Sequence, residues 1–191
     1  YGFNSAREKL FCLLPESIEV KRMLGGLAAD SDQPMDNATR QYVQQAWRRI
    51  EEKIPGVEFN YDFWNVCKPR RSTYPACRAV IAAREQGSLF EEKMIKAIQQ
   101  AYYLQAQNPS DNDTLIALAD KLGLQGSHFQ DDIKSQRVED LLQEELAFCK
   151  AKGMTSFPSL LLGIGDSFWP IGVDYLNPGA MMENINVLLE T

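Results

Sequence analysis

Residues 155–162 are Thr-Ser-Phe-Pro-Ser-Leu-Leu-Leu, so a proline stands just before a short apolar run. The run at 160–162 predicts a buried strand, residues 163–167 a hairpin turn, and residues 168–171 a partner strand. Pro158 has no N–H to donate, so it fits the first residue, an edge or a bulge of a strand. The bond before it is either trans, the commoner form, or cis, which bends the chain sharply.

Composition limits the class of protein. The chain has 191 residues, of which 45% are hydrophobic and 24% charged, and its formal net charge is -6. These values are typical of one globular domain, or of one domain that carries an insertion. The acidic balance argues against general nucleic-acid binding, which needs a basic face. A membrane span needs about 18 consecutive apolar residues, and the sequence has no such run.

The four cysteines, Cys12, Cys67, Cys77 and Cys149, form no Cys-x-x-Cys pair. Their wide spacing does not indicate a secreted disulfide framework, and a single histidine, His128, argues against zinc. We expect Cys12 and Cys149 to be buried, unreactive thiols on helices. Cys77 falls in the first turn of a predicted helix, where a thiol is either structural or activated by the helix N-terminus. We favour the structural role, and a Cys67–Cys77 disulfide stays open as an alternative.

Periodicity and turn signals place most of the remaining elements. Ser88 with Glu91 predicts a capping box, and Asp111 predicts an N-cap. His128 is expected in a loop. The predicted elements after the first helix are a strand at 18–24 ended by two glycines, helices at 39–53, 74–85, 88–105, 111–122 and 131–152, the hairpin, and a helix at 177–189.

Two further clusters have both a structural and a functional interpretation. The aromatic group Phe59, Tyr61, Phe63 and Trp64 either packs in a core, which we favour, or lines a peptide-binding groove. The basic stretch at 68–71, Lys-Pro-Arg-Arg, is expected to be a solvated loop, and its alternative is contact with an acidic ligand such as the carboxylates of glutathione.

Several stretches together resemble one family. In this order and spacing the chain resembles the DsbA-like thioredoxin superfamily, and within it the FrnE-like branch. In that branch a first strand runs into Cys-x-x-Cys, which opens the first helix and is followed by Tyr-Gly-Phe. The stretches that carry the resemblance are Tyr1-Gly2-Phe3, Met23-Leu24-Gly25-Gly26-Leu27 with Pro34-Met35, Ser72 to Val80, the helical residues 97–103, 115–119 and 123–124, and Phe157-Pro158.

The resemblance implies an α/β thioredoxin-like fold with a large inserted helical domain. Residues 1–30 and 153–191 would form the discontinuous thioredoxin-like domain, and residues 36–150 the helical insertion. A right-handed βαβ unit needs one more strand before the first helix. We therefore expect that strand and the Cys-x-x-Cys immediately upstream of Tyr1, because the sequence itself lacks the pair.

The implied function is thiol–disulfide oxidoreduction or protein-disulfide isomerisation on protein or small-molecule disulfides. The resemblance implies a cis Phe157–Pro158 bond, with the Phe157 backbone binding substrate by β-type hydrogen bonds. It places Tyr1 and Phe3 behind the cysteine pair and Tyr74 beside the substrate. It implies no metal and no bound cofactor, with glutathione as a redox partner.

Two alternatives remain. One is a kappa-type glutathione transferase or related isomerase, which has a serine near the place of the first cysteine. The other is a non-catalytic thioredoxin-like module that binds peptides. The expected partners are disulfide-containing proteins or peptides rather than nucleic acid or membrane. The resemblance implies a bacterial cytoplasmic location, with the periplasm as the alternative.

Overall fold

The computed structural model describes residues 1–190. Within them, no helix combines the length and the apolar composition that crossing a membrane requires. The elements in chain order are α1 Asn4–Leu13, α2 Asn37–Lys53, α3 Phe63–Val66, α4 Tyr74–Glu85, α5 Ser88–Tyr103, α6 Asn112–Lys121, α7 Gly126–Asp132, α8 Gln136–Ala151, β1 Leu160–Ile164, β2 Ser167–Ile171 and α9 Pro178–Leu189.

The predicted hairpin is confirmed, and its strands are longer than the apolar run suggested. β1 pairs antiparallel with β2, from Leu160 opposite Ile171 to Ile164 opposite Ser167. The turn is therefore only two residues long, and Gly165 in it has a φ of +56°. A two-residue hairpin turn needs a positive φ, which glycine adopts without steric cost, so the glycine permits the tighter connection.

The predicted strand at 18–24 is wrong, because residues 18–26 have neither helical nor strand structure. A strand requires a neighbour to pair with, and within residues 1–190 the sheet contains only β1 and β2. The apolar alternation that suggested a strand cannot reveal whether a partner is available. Side chains of the helices hold this segment instead, through Arg22 and the N–H of Leu24.

The predicted helices are present in the predicted order, and residues 1–190 contain two further helices, α3 and α7. The helix predicted at 131–152 starts only at Gln136, as α8, because Ser135 caps it by accepting a hydrogen bond from the N–H of Val138; residues 131–132 instead end the separate helix α7. α7 begins at Gly126, so His128 lies in a helix and not in the expected loop. The helix predicted at 88–105 ends at Tyr103.

Two predicted helix caps differ from the structure. Ser88 does not cap α5, because the cap position is Gly87, at a φ of +148° and without a side-chain hydrogen bond. Glu91, its expected capping partner, forms ion pairs with Arg22 and Arg84. Asp111 does occupy the N-cap position of α6, yet its carboxylate accepts a hydrogen bond from Arg70 and none from its own helix.

Buried side chains form three clusters. The largest joins α4, α5, α6, α7 and α8, and its fully buried members include Ile81, Met94, Leu115 and Leu142. The second joins α1, the hairpin and α9 through residues such as Leu10, Leu162 and Met181. The third is aromatic and surrounds Trp47 of α2. The domain boundaries at residues 30, 36, 150 and 153 stay a prediction.

Candidate functional site

The loop before β1, residues 155–159, is exposed and carries the best candidate for a substrate contact. The Phe157–Pro158 peptide bond is cis, as predicted. Phe157 is 41% exposed, although it is a large apolar side chain. Neither the N–H nor the C=O of Phe157 has a hydrogen-bond partner within residues 1–190. Free backbone groups beside an exposed ring can pair with an extended peptide.

The ring of Phe157 lies directly on the backbone of Gly25. A Cβ atom on Gly25 would be 1.9 Å from two carbons of that ring, a distance that no packing tolerates. Glycine is therefore required at position 25 for this contact. The contact joins the loop before β1 to the irregular segment at 18–26.

The next residue, Gly26, has a φ of +48° and is enclosed by two helices. A Cβ there would lie 2.8 Å from Cε1 of Tyr74 in α4 and 2.5 Å from Cδ2 of Leu146 in α8. Of the predicted substrate-binding residues, Phe157, Pro158 and Tyr74 are thus gathered around one glycine pair. We call Gly25 and Gly26 the glycine pair and residues 155–159 the Phe157 loop.

A buried carboxylate, which the sequence analysis missed, holds the residue before the glycine pair. Glu145 of α8 is only 6% exposed. One of its oxygens, Oε2, accepts a hydrogen bond of 2.5 Å from the N–H of Leu24, and the other, Oε1, accepts one of 2.5 Å from Nη2 of Arg84. The signal was available, because Glu145 shares the buried face of α8 with Leu142 and Cys149.

Tyr1 and Phe3 belong to two other clusters. The ring of Tyr1 stacks on Tyr103 at 4.9 Å between centroids. Phe3 is buried and contacts Tyr175 edge-on at 5.5 Å. Phe3 therefore stabilises the core of α1, the hairpin and α9, and its ring is not accessible to a substrate. Their predicted place behind a cysteine pair stays a prediction.

α1 begins at Asn4, with Phe3 at its N-cap position. Phe3 has helical dihedral angles, the N–H of Asn4 bonds to the C=O of Tyr1, and no side chain caps the first turn. Uncapped N–H groups and the helix dipole favour negative charge at such an end.

The four thiols are all free. Burial raises the pKa of Cys77 to about 11, so this thiol is structural and is not activated by its helix. The thiol of Cys67 donates a hydrogen bond of 3.0 Å to the C=O of Ala106, so it does not pair with Cys77. Cys149 is buried as predicted, whereas the prediction for Cys12 is wrong, because that side chain is exposed on α1.

The aromatic group is core, as favoured from the sequence. Phe63 and Trp64 are almost fully buried, and Trp47 stacks on Phe59 at 4.8 Å between centroids. Trp47 also has edge-on or tilted ring contacts with Tyr61, Phe63, Trp64, Tyr102 and Tyr103.

The basic stretch at 68–71 is not simply solvated. Arg70 donates hydrogen bonds of 2.5 Å to the C=O of Ser110 and 2.6 Å to the carboxylate of Asp111. It lines a polar cleft of about 470 Å³ together with Arg78, which forms a two-pronged pair with Asp30. Both arginines are paired with aspartates of the same cleft, so neither presents an unpaired charge to a ligand.

The chain matches a known family and several curated relatives. A family model described as thioredoxin matches residues 9–163. The ClpXP adapter protein SpxH of Halalkalibacterium halodurans is 25% identical over 123 residues, which are 64% of this chain and 40% of that protein. The uncharacterized protein YwbO of Bacillus subtilis is 27% identical over 132 residues, 68% of this chain and 63% of that protein. The chain thus spans less than two thirds of the length of these relatives.

Among solved structures, the chain is similar to the cytosolic disulfide reductase DsbM from Pseudomonas aeruginosa. The TM-score is 0.74 at 20% sequence identity, over 100% of this chain and 94% of that chain. The structure of DsbM with GSH gives a TM-score of 0.70 at 20% identity, over 100% and 95%. At this identity the likeness establishes the fold, and it confirms the predicted thioredoxin-like architecture with helical insertion. The narrower FrnE-like placement stays a prediction. The family match, which covers residues 9–163, shows that the chain belongs to the thioredoxin family.

Proposed function

We propose that this protein is a thiol–disulfide oxidoreductase that binds extended, disulfide-containing peptides at the Phe157 loop. The observation that carries the proposal is the free N–H and C=O of the exposed Phe157, whose ring is fixed on Gly25. A substrate strand that pairs with these groups forms backbone hydrogen bonds, which hold it in a fixed position relative to the glycine pair. Pairing through the backbone accepts many side-chain sequences, which suits an enzyme that serves different proteins.

The reactive cysteines are those that the family resemblance predicts immediately before Tyr1. A place just before α1 suits them, because a helix N-terminus lowers the pKa of a thiol and favours the thiolate. The thiolate attacks one sulfur of the substrate, so a mixed disulfide forms, the substrate S–S bond breaks and the second substrate sulfur leaves and takes up a proton. The other cysteine then attacks the mixed disulfide, which releases the reduced substrate and leaves an enzyme disulfide.

A thiol reductant must return the enzyme disulfide to two thiols, and we propose glutathione for this role. Two glutathione molecules would be oxidised to one glutathione disulfide in each cycle, which balances the two electrons given to the substrate. The similarity in fold to DsbM, a cytosolic disulfide reductase whose structure is known with GSH, supports glutathione as partner and the cytoplasm as location.

The test is turnover of a fluorescent peptide disulfide by the full-length protein with glutathione as reductant. We expect turnover, and we expect Phe157→Ala to reduce kcat/KM about fivefold or more because the ring no longer fixes the loop. The matched control is Tyr42→Ala, since Tyr42 is also an exposed aromatic residue, at 62%, and lies on α2 away from the loop. Peptide binding without turnover would instead support the non-catalytic module. Conjugation of glutathione to an electrophile would support the transferase alternative.

A further inference from the structure

We propose that Glu145 is a positioning residue, which fixes the glycine pair under Phe157 and thereby sets the affinity for peptide substrates. The inference rests on the proposed function, because it assumes that the Phe157 loop is where the peptide binds. Glu145 is a buried carboxylate on a helix that otherwise presents apolar residues to the core. A buried charge is costly unless it is paired, so its partners indicate its role.

Both oxygens of Glu145 are committed to specific donors. Arg84 lies 2.5 Å from Oε1 and balances the charge, and it also lies 3.1 Å from Glu91. Oε2 accepts the N–H of Leu24, a backbone group 121 residues away in the sequence. A hydrogen bond to an ionised carboxylate is about twice as strong as a neutral one. Arg84 thus supplies the countercharge to the carboxylate that accepts the N–H of Leu24.

This bond is the backbone attachment of the segment before the glycine pair. Leu24 provides the one backbone N–H or C=O of residues 19–24 that has a hydrogen-bond partner within residues 1–190. Arg22 adds ion pairs from its side chain to Glu91 and Glu92. In a sheet, several ladder hydrogen bonds would hold the backbone of these residues, whereas here a single carboxylate binds that backbone.

Helix α8 also contacts the glycine pair one residue further along. Leu146 follows Glu145, and its Cδ2 would lie 2.5 Å from a Cβ on Gly26. Consecutive Cα atoms are about 3.8 Å apart, so a displacement of Leu24 is passed to Gly25 and to the ring of Phe157. Glu145 does not contact the substrate, yet through these contacts it affects the position of the Phe157 loop.

The experiment compares Glu145→Gln and Glu145→Leu with Glu139→Gln and Glu139→Leu in the full-length protein. Glu139 is the matched control, because it lies on the same helix and pairs with an arginine, Arg78, but accepts no backbone N–H. Glu145→Gln leaves one oxygen for two donors, and Glu145→Leu leaves none at similar volume. Each variant is first tested for cooperative unfolding in urea, so that only folded proteins are compared.

The first measurement is native-state hydrogen exchange of the Leu24 amide. We expect exchange to accelerate about tenfold or more in Glu145→Leu, less in Glu145→Gln, and about twofold at most in the Glu139 variants. The second is kinetics with a peptide disulfide and with hydroxyethyl disulfide. We expect the KM for the peptide to rise about threefold to tenfold in the Glu145 variants, with kcat/KM for the small disulfide unchanged within about twofold.

Three results would overturn the positioning role. They are unchanged exchange of Leu24, an equal rise in peptide KM for the Glu139 variants, and an equal loss for both substrates, which indicates general damage. Failure of the proposed function is a different result, since the wild-type protein would then reduce neither disulfide. Even so, the exchange of Leu24 would decide whether Glu145 holds the segment.

Discussion

The Phe157 loop and the cluster around Trp47 both depend on aromatic side chains, but those side chains differ in how many neighbours surround them. Trp47 is 3% exposed and is surrounded by other rings, so every part of it is in contact. Phe157 rests on one glycine and leaves its other face and its backbone groups open.

This difference separates stability from binding. Burial of a ring on all sides increases the free energy of unfolding. A ring that is held on one side keeps an exposed apolar face, which can contact a ligand. The comparison therefore predicts that substitutions in the two regions will have opposite signatures. Those around Trp47 should change stability, and those around the glycine pair should change peptide turnover.

The largest effect on stability is expected for Trp47→Ala. Removing the ring leaves a cavity among Phe59, Tyr61 and Tyr103, so the free energy of unfolding should fall by about 3–5 kcal/mol. Phe157→Ala should change it by less than about 1 kcal/mol because half of that ring is already exposed. Urea unfolding followed by circular dichroism measures both. Similar losses for the two variants would contradict the comparison.

Gly25→Ala should have the largest effect on turnover. The new Cβ would displace the ring of Phe157, and a shift of about 1 Å in a positioned group can reduce a rate up to about a hundredfold. The control is Gly172→Ala, since a Cβ on Gly172 meets no atom within 4 Å and its φ is not positive. If both variants kept full turnover of a peptide disulfide, the glycine pair would have no part in binding.

The reactivity of the thiols gives a further test. Cys77 lies on α4 and packs against the largest of the three buried clusters. Its pKa is raised by burial to about 11, so at pH 8 iodoacetamide should modify exposed Cys12 and leave Cys77 unmodified in the native protein. Peptide mass mapping measures the order in which the two cysteines are modified. Modification of Cys77 as early as Cys12 would contradict the prediction.

The same shift has a consequence for stability. The unfolded thiol ionises from about pH 9, the folded one only near pH 11, so ionisation favours the unfolded state. The contribution of Cys77 to stability is therefore complete below about pH 9 and is lost as the pH rises to about 11. Cys77→Ala should flatten this part of the stability curve, measured by urea unfolding at pH 8 to 11.

The smallest effect is expected for Ala106→Gly, at the edge of the aromatic cluster. Ala106 has a φ of +52°, a left-handed conformation that costs a residue with a Cβ about 1–2 kcal/mol. Glycine removes that cost but adds freedom to the unfolded chain, so the net gain in stability should be at most about 1 kcal/mol. A stability loss would show that the alanine methyl group makes a packing contribution larger than the strain.

Local signals predicted the local parts of the fold. α4 has the predicted bounds Tyr74–Glu85, and the hairpin follows from the apolar run, the glycine turn and Pro158. The segment at 18–24 failed, because its pattern fits a strand while pairing depends on a neighbour elsewhere in the chain. The break before α8 was not predicted, because only a serine cap, at Ser135, interrupts an otherwise continuous helical pattern.

The candidate site could be predicted only in part. Phe157 and Tyr74 were found through the family resemblance, and the glycine pair that joins them was noted only as the end of a strand. Glu145 was missed because its partner Leu24 is distant in sequence, and no spacing rule links the two. Contacts of this kind depend on tertiary packing, which places a polar side chain on the buried face of a helix.

The most direct test of the account is a hydrogen-exchange footprint of a bound peptide whose disulfide is replaced by a non-reducible thioether. Binding to the full-length protein should slow exchange in residues 23–27 and 155–159 and leave the cluster around Trp47 unchanged, because the exposed Phe157 and its unpaired backbone groups lie in the first region while Trp47 is enclosed. Protection around Trp47, with none at the Phe157 loop, would contradict the central claim that this loop binds the substrate.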